Sequence, residues 1–181
     1  MSVDVITASK FLSLLLRHKP EEIGLVLDAE GWAEIDEIVR LTSGGRIPLS
    51  ENLIKEIVRT SDKQRFAISE KGSKIRANQG HSIAIDLALV PKQPPETLYH
   101  GTATRFVQSI LREGLLRGER RHVHLSSDDE TAVKVGKRHG EPVVLIVAAG
   151  EMAMSGYTFY LSDNGVWLTE HVPARFIQYA A

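Results

Sequence analysis

The chain has 181 residues, 43% hydrophobic and 25% charged, with a formal net charge of −1; that suits an ordinary soluble globular protein of one large or two small domains and excludes a nucleic-acid signal carried by bulk charge. It has no cysteine, which excludes disulfides and thiolate metal sites and agrees with a cytoplasmic address. The apolar residues fall in short periodic groups with no membrane span, and Met1-Ser2-Val3-Asp4-Val5 has no export-signal pattern.

In chain order, Phe11, Leu12, Leu15 and Leu16 recur at helical spacing and Pro20 stops the run, which puts Arg17 and His18 near a helix C-terminus. Ile35, Ile38 and Val39 predict a second short helix. Ser50 is the expected N-cap of a third, carrying Leu53, Ile54, Ile57 and Val58. Arg65-Phe66-Ala67-Ile68 and Lys74-Ile75-Arg76 read as short strands joined by Ser69-Glu70-Lys71-Gly72-Ser73. Three helices followed by a β-ribbon are similar to a winged helix. Pro91-Lys92-Gln93-Pro94-Pro95 opposes both helix and central strand, so a junction is expected there, with lobes at residues 1–92 and 96–181.

Beyond the prolines, strands are expected at Thr97-Leu98-Tyr99, His122-Val123-His124-Leu125, the buried-looking Val143-Val144-Leu145-Ile146-Val147, Thr158-Phe159-Tyr160, Val166-Trp167-Leu168 and Phe176-Ile177-Gln178-Tyr179. Phe106, Val107, Ile110 and Leu111 predict an amphipathic helix ending near Gly114, and Ser127-Asp128-Asp129-Glu130 has the spacing of a capping box for another. The expected fold class is α+β, a winged-helix-like lobe followed by a β-rich one.

Charge is even in both halves, with 13 basic against 13 acidic residues up to Pro95 and 9 against 10 after it, but local charge is different. Lys63, Arg65, Lys71, Lys74 and Arg76 do crowd one segment, opposed by Asp62 and Glu70, and their ordinary reading is a solvated surface. No dinucleotide fingerprint, P-loop, nucleophile elbow or H-E-x-x-H is present. Alternation on a strand would put His122 and His124 on one face, but without a cysteine or adjacent carboxylate no metal site is expected.

Several longer motifs remain: Ser9-Lys10-Phe11-Leu12-Ser13, Arg17-His18, Ser61-Asp62-Lys63-Gln64-Arg65-Phe66, Ile75-Arg76-Ala77-Asn78-Gln79-Gly80-His81-Ser82, Tyr99-His100-Gly101-Thr102, Arg120-Arg121-His122-Val123-His124-Leu125-Ser126, Glu141-Pro142-Val143 and Asn164-Gly165-Val166-Trp167-Leu168. In this order they resemble the RNA 2′-phosphotransferase family over nearly the whole chain. The resemblance implies a winged-helix-like lobe joined to an ADP-ribosyltransferase-type lobe, and an enzyme that consumes NAD as co-substrate to remove an internal 2′-phosphate from RNA. An RNA-phospho-ADP-ribose intermediate would then yield ADP-ribose 1″,2″-cyclic phosphate and nicotinamide.

By the same resemblance the catalytic set is Arg17, His18, Arg65 and Arg120; the family's arginine two residues before the H-V-H triplet selects Arg120 over the adjacent Arg121. Guanidiniums hold phosphate oxygens bidentately, and a histidine exchanges protons near neutral pH. NAD would be held by His100, Gly101, Thr102, His124, Ser126, Asn164, Gly165 and Val166. Arg76, Gln79, Gly80, His81 and Ser82 would face the RNA. Val166 stands where many ADP-ribosyltransferases carry a glutamate, a departure that suits an acceptor already anionic. The implied partner is a tRNA-like RNA from splicing, acted on by a monomer with no metal and no membrane. The competing readings are ADP-ribosylation of a terminal phosphate or a protein, and a non-catalytic winged-helix nucleic-acid binder.

Overall fold

A computed structural model describes residues 4–61 and 63–179; Asp62 of the second long motif and Met1-Ser2-Val3 of the export reading lie outside them. The chain divides into two compact units, Met1–Ala88 and Leu89–Ala181. It is α+β with antiparallel sheets, as expected. No helix among the described residues is long and apolar enough to cross a membrane.

In the first unit, helix α1 (Val5–Arg17) starts at Asp4, whose carboxylate accepts from the Ile6 and Thr7 N–H groups at 3.0 Å each, an N-cap that satisfies two otherwise orphaned donors. It buries Ala8, Leu12, Leu15 and Leu16 and stops at His18. Strand β1 (Ala33–Glu34) leads into α2 (Ile35–Thr42), and Ser50 caps α3 (Glu51–Thr60) by accepting from Leu53 N–H at 3.2 Å. Strands β2 (Phe66–Ile68) and β3 (Lys74–Ala77) complete a sheet of order β1-β3-β2, with Ala33 opposite Ile75 and Ala67 opposite Arg76. The two-residue β1 was not expected, because too few residues alternate to signal it. The helices' apolar stripes close on the buried face of β2 and β3, where Phe66, Ile75 and Ala77 point inward.

The second unit runs β4 (Leu98–Ala103), α4 (Thr104–Glu113), β5 (Leu115–Leu116), β6 (Val123–Leu125), α5 (Asp129–Gly136), β7 (Pro142–Val147), α6 (Ala149–Met154), β8 (Phe159–Leu161), β9 (Trp167–Thr169), β10 (His171–Val172) and β11 (Ile177–Tyr179). The strands form antiparallel sheets of order β11-β7-β4, β6-β9-β8 and β10-β5. Two backbone hydrogen bonds between Tyr99 and Ser126, at 2.9 and 2.8 Å, stitch β4 to the residue after β6. Pro91 forms a bridge with Tyr160, and Lys92 N–H donates to Phe159 O at 2.8 Å.

Several local expectations change. Strand β4 continues through His100-Gly101-Thr102, polar residues that looked unlike a strand, because all six of its residues pair with β7. Strand β7 buries Val143, Leu145 and Val147 while the residues between them stay partly exposed, so it alternates. The cap of α5 is Asp128, accepting from Thr131 N–H at 2.7 Å, one residue beyond the Ser127 expected. In α4 only Val107 is buried, and Phe106 and Leu111 remain exposed.

Candidate functional site

In the first unit the end of α1, the start of β2 and the segment after β3 converge. A helix C-terminus leaves carbonyls without intrahelical partners. Here Ser82 N–H donates to Arg17 O at 3.0 Å, while Ser82 Oγ is hydrogen-bonded to His18 Nδ1 at 2.9 Å. The segment 78–82 therefore folds over the helix end and fixes the His18 ring. Arg65 O accepts from Asn78 N–H at 3.0 Å and from Arg17 Nη2 at 3.3 Å. Arg17, His18, Arg65 and Ser82 are thus brought together, with Gly80 beside them at φ +87°; a Cβ there would lie 3.7 Å from Arg17 Nη1, so backbone conformation, not space, requires the glycine.

Two residues that sequence reasoning did not single out hold this arrangement. Gln64, just before Arg65, has φ +40°, unusual for a residue with a side chain. Asn78 is buried and its Nδ2 donates to Gln64 O at 2.6 Å, so one asparagine pins both peptides from which Arg65 departs. The motif contained Asn78, but nothing in the sequence said that its partners would be backbone atoms thirteen and fourteen residues away. Arg76 Cζ sits 4.6 Å from the Trp32 ring centroid with Nη1 3.9 Å from Glu30 Oε2. His81 is 3% exposed and packs near Gly31 and Ile85, and Gln79 is partly buried. The first unit thus brings the Arg17 guanidinium to the backbone of Arg65, at the helix end that also carries the exposed imidazole of His18; guanidinium and imidazole are groups able to hold a phosphate and exchange a proton with it.

In the second unit His100 Nδ1 lies 3.1 Å from His124 O. A carbonyl only accepts, so the hydrogen is on Nδ1, and Nε2 of the neutral ring is an acceptor. Burial holds His100 below the usual histidine value; the bond to His124 O opposes this, and the nearby charges of His139 and Arg120 reinforce it. Arg120 Nη1 donates to His124 Nδ1 at 2.8 Å, which puts the His124 ring hydrogen on Nε2. Arg121 goes elsewhere: with Arg117, His122, Tyr157, Tyr160 and His171 it lines a hollow of about 400 Å³. His122 lies just before the start of β6, with its ring edge-on to Tyr160 at 5.6 Å. Burial, then Arg121 and Arg117, lower its pKa against Glu170. Among the described residues no group of three or more His, Asp or Glu is placed to hold a metal ion.

Gly101 has a packing reason to be glycine. A Cβ there would lie 1.7 Å from Ala132 O, and one on Gly136 would lie 2.6 Å from Thr102 O, so the backbones of β4 and α5 meet directly. Thr102 is buried. Asn164 and Gly165 form the turn of the β8–β9 hairpin: Gly165 N–H donates to Ser162 O at 2.9 Å, Ser162 N–H to Val166 O at 3.0 Å, and Gly165 has φ +78°. A turn of this kind ends in a left-handed residue, which explains the glycine. The β6–β9 register pairs Leu125 with Trp167, so Val166 and Ser126 occupy the next position along. His100, Arg120, His124 and Ser126 therefore gather around the Tyr99–Ser126 stitch, with the hairpin turn at that end of the sheet.

Comparison with known proteins adds a relationship. The model of the family described as RNA 2′-phosphotransferase, Tpt1 / KptA family, matches residues 4–171. The chain is similar to a probable RNA 2′-phosphotransferase of Agrobacterium fabrum, 55% identical over 96% of this chain and 93% of that one. It is also similar to proteins of the same description from Acaryochloris marina, 57% identical over 93% of both chains, and from a strain of Escherichia coli, 52% identical over 94% of both.

Proposed function

The chain belongs to the RNA 2′-phosphotransferase family, and on that premise we propose that it transfers an internal RNA 2′-phosphate to NAD, releasing nicotinamide and then ADP-ribose 1″,2″-cyclic phosphate. The observation that carries the reading is the meeting of Arg17, His18 and Arg65 at the end of α1, although Arg17 and Arg65 stand 48 positions apart in the chain. In this reading the first unit is a winged-helix-type lobe for RNA and phosphate, and the second an ADP-ribosyltransferase-type lobe for NAD.

Arg17 and Arg65 neutralise the phosphomonoester and orient one of its oxygens for attack on the ribose carbon that bears nicotinamide, and Arg120, bonded to His124 among the residues assigned to NAD, is the third arginine that the resemblance assigns to catalysis. The bond from that carbon to nicotinamide breaks as the phosphate oxygen bonds to it. The adjacent ribose hydroxyl then attacks phosphorus, losing its proton to solvent, and the RNA 2′-oxygen leaves with a proton that His18 supplies, so that the step is proton-neutral once His18 takes a proton back from solvent. His100 fits a sugar hydroxyl, since its Nε2 is an acceptor at the edge of the buried ring. His124, Ser126 and the Asn164-Gly165-Val166 turn shape the remainder of the NAD site, with the Gly101 and Thr102 backbone beneath. Val166 puts no carboxylate against the incoming phosphate, which favours RNA phosphate over a protein side chain as acceptor. Gln79, Gly80 and Ser82 meet the RNA, while Arg76 and the buried His81 hold that segment in place. Tha natural substrate in this reading is a tRNA-like splicing product.

The test is incubation with NAD and a short RNA carrying an internal 2′-phosphate, products identified by mass. Nicotinamide and the cyclic phosphate should appear in equal amounts, and inorganic phosphate released without NAD would overturn the proposal. His18→Ala should slow the second step by about 100-fold, the lower range for a lost general acid, and so accumulate RNA-phospho-ADP-ribose. Arg65→Lys, which keeps charge but loses the planar fork, should also slow the second step more than the first. Failure of both variants before nicotinamide release would move His18 and Arg65 to the first step.

A further inference from the structure

The Ser9-Lys10-Phe11-Leu12-Ser13 motif contributes Leu12 to the core, but the reaction above gives Ser9, Lys10 and Ser13 no task. These three line a groove of about 330 Å³ in the first unit together with Thr60, Ser61 and Arg65, and the apolar Val5, Ile6 and Ile57 complete its lining. Ser9, Ser13 and Arg17 follow one another at i, i+4, so they make a stripe along α1 in steps of about 6 Å. The stripe ends at Arg17, whose Nη2 donates to the carbonyl of Arg65. The groove thus leads along the helix to the pair of arginines assigned to the 2′-phosphate.

Its polar side chains suit a polyanion with hydroxyls. Lys10 is exposed, and among the described residues none that lines the groove is acidic. Asp4, the nearest acid along α1, accepts from the Ile6 and Thr7 N–H groups as the helix cap. Serine hydroxyls and an ammonium are ordinary phosphate partners that carry no base preference. Thr60 differs: its Oγ1 donates to Glu56 O at 2.8 Å, which leaves lone pairs to accept from a ribose 2′-hydroxyl. That donor separates RNA from DNA.

We infer that this groove holds the single-stranded RNA flanking the 2′-phosphate, with a phosphodiester at Lys10, Ser9 and Ser13 and a ribose hydroxyl at Thr60, and so delivers the 2′-phosphate to Arg65 and Arg17. The inference rests on the RNA 2′-phosphotransferase reading. Its test compares kcat/KM for a nucleoside 2′-monophosphate, which has no flanking phosphodiester, with that for oligonucleotides extended from the 2′-phosphate on the 5′ side, the 3′ side or both. The wild-type chain should prefer an extended substrate, and the one-sided substrates identify which flank the groove takes. Lys10→Ala and Ser13→Ala should each reduce that preference about tenfold, and Lys10→Glu more. Fluorescence anisotropy with the same RNA lacking the 2′-phosphate gives a readout that needs no reaction; in Lys10→Ala the slope of log affinity against log salt should fall by about 0.7, the loss of one single-strand phosphate contact. Replacing the flanking riboses by deoxyriboses should weaken binding to the wild type and leave Thr60→Val insensitive. A preference kept in all variants, or lost equally for both classes of substrate, overturns the groove while the phosphotransferase reading stands. No nicotinamide release from any substrate by the wild type overturns both.

Discussion

Arg120 and Arg121 are neighbours in the chain whose side chains have different surroundings, Arg120 bonded to His124 and Arg121 lining the hollow beside His122. Adjacent residues commonly diverge in this way where a chain approaches a strand, and here the divergence selects Arg120 as the arginine next to His100 and His124. His100 also makes a pH-dependent contribution. Burial lowers its folded pKa, so the unfolded chain binds more protons than the folded one between that value and the unperturbed value of about 6.5. The stabilisation is fully present above the unfolded value and is lost as pH falls through it toward the folded one. The melting temperature should therefore drop between pH 7.5 and pH 5.5, and by less in His100→Gln, which keeps a donor for His124 O without titrating. An identical drop in both proteins would show that His100 is not responsible, leaving His122, which burial shifts the same way.

At the scale of elements, the contact of α5 with β4 depends on two glycines, Gly101 and Gly136, each facing backbone atoms of the other element. A Cβ at position 101 meets a carbonyl oxygen, which cannot swing aside as a side chain would, so the helix must shift. Gly101→Ala should destabilise the protein by about 3 kcal/mol, the upper range for overpacking, read as a lower urea midpoint. A variant of unchanged stability that failed only to bind NAD would assign the glycine to the ligand and not to packing. The α5 cap and the β8–β9 turn carry the same lesson. Asp128, not Ser127, caps the helix, and Asn164-Gly165 is explained as a turn before any ligand is considered. A motif shared by a family can thus hold residues that serve the fold beside residues that serve the reaction.

At the scale of the whole molecule, each unit has its own hydrophobic core, one built on α1–α3 and the other on the sheets of the second unit. If the units divide the substrates as proposed, NAD affinity measured by calorimetric titration should change less than about twofold in Arg65→Ala and fall about tenfold in His100→Ala, the cost of about one hydrogen bond left unmade. Loss of NAD binding in Arg65→Ala would overturn that division. The helices of the first unit were legible in the sequence because apolar residues at helical spacing, a Ser50 cap and a stop at Pro20 are local signals. Most strands of the second unit were legible for the same reason, since alternation and β-branched runs are local too. The very short strands and α6 were not, because two residues cannot repeat an alternation and six make fewer than two helical turns. The ordered motifs determined the family and nominated the arginines and histidines. Only the tertiary structure decided that Ser82 seals the end of α1, that Asn78 pins the peptides around Arg65, and that His100, His124 and Arg120 share one network. Those contacts join residues distant in sequence or aim neighbours in different directions, and hydrogen-bond partners of that kind are set by how elements pack, which the order of residues along the chain does not display.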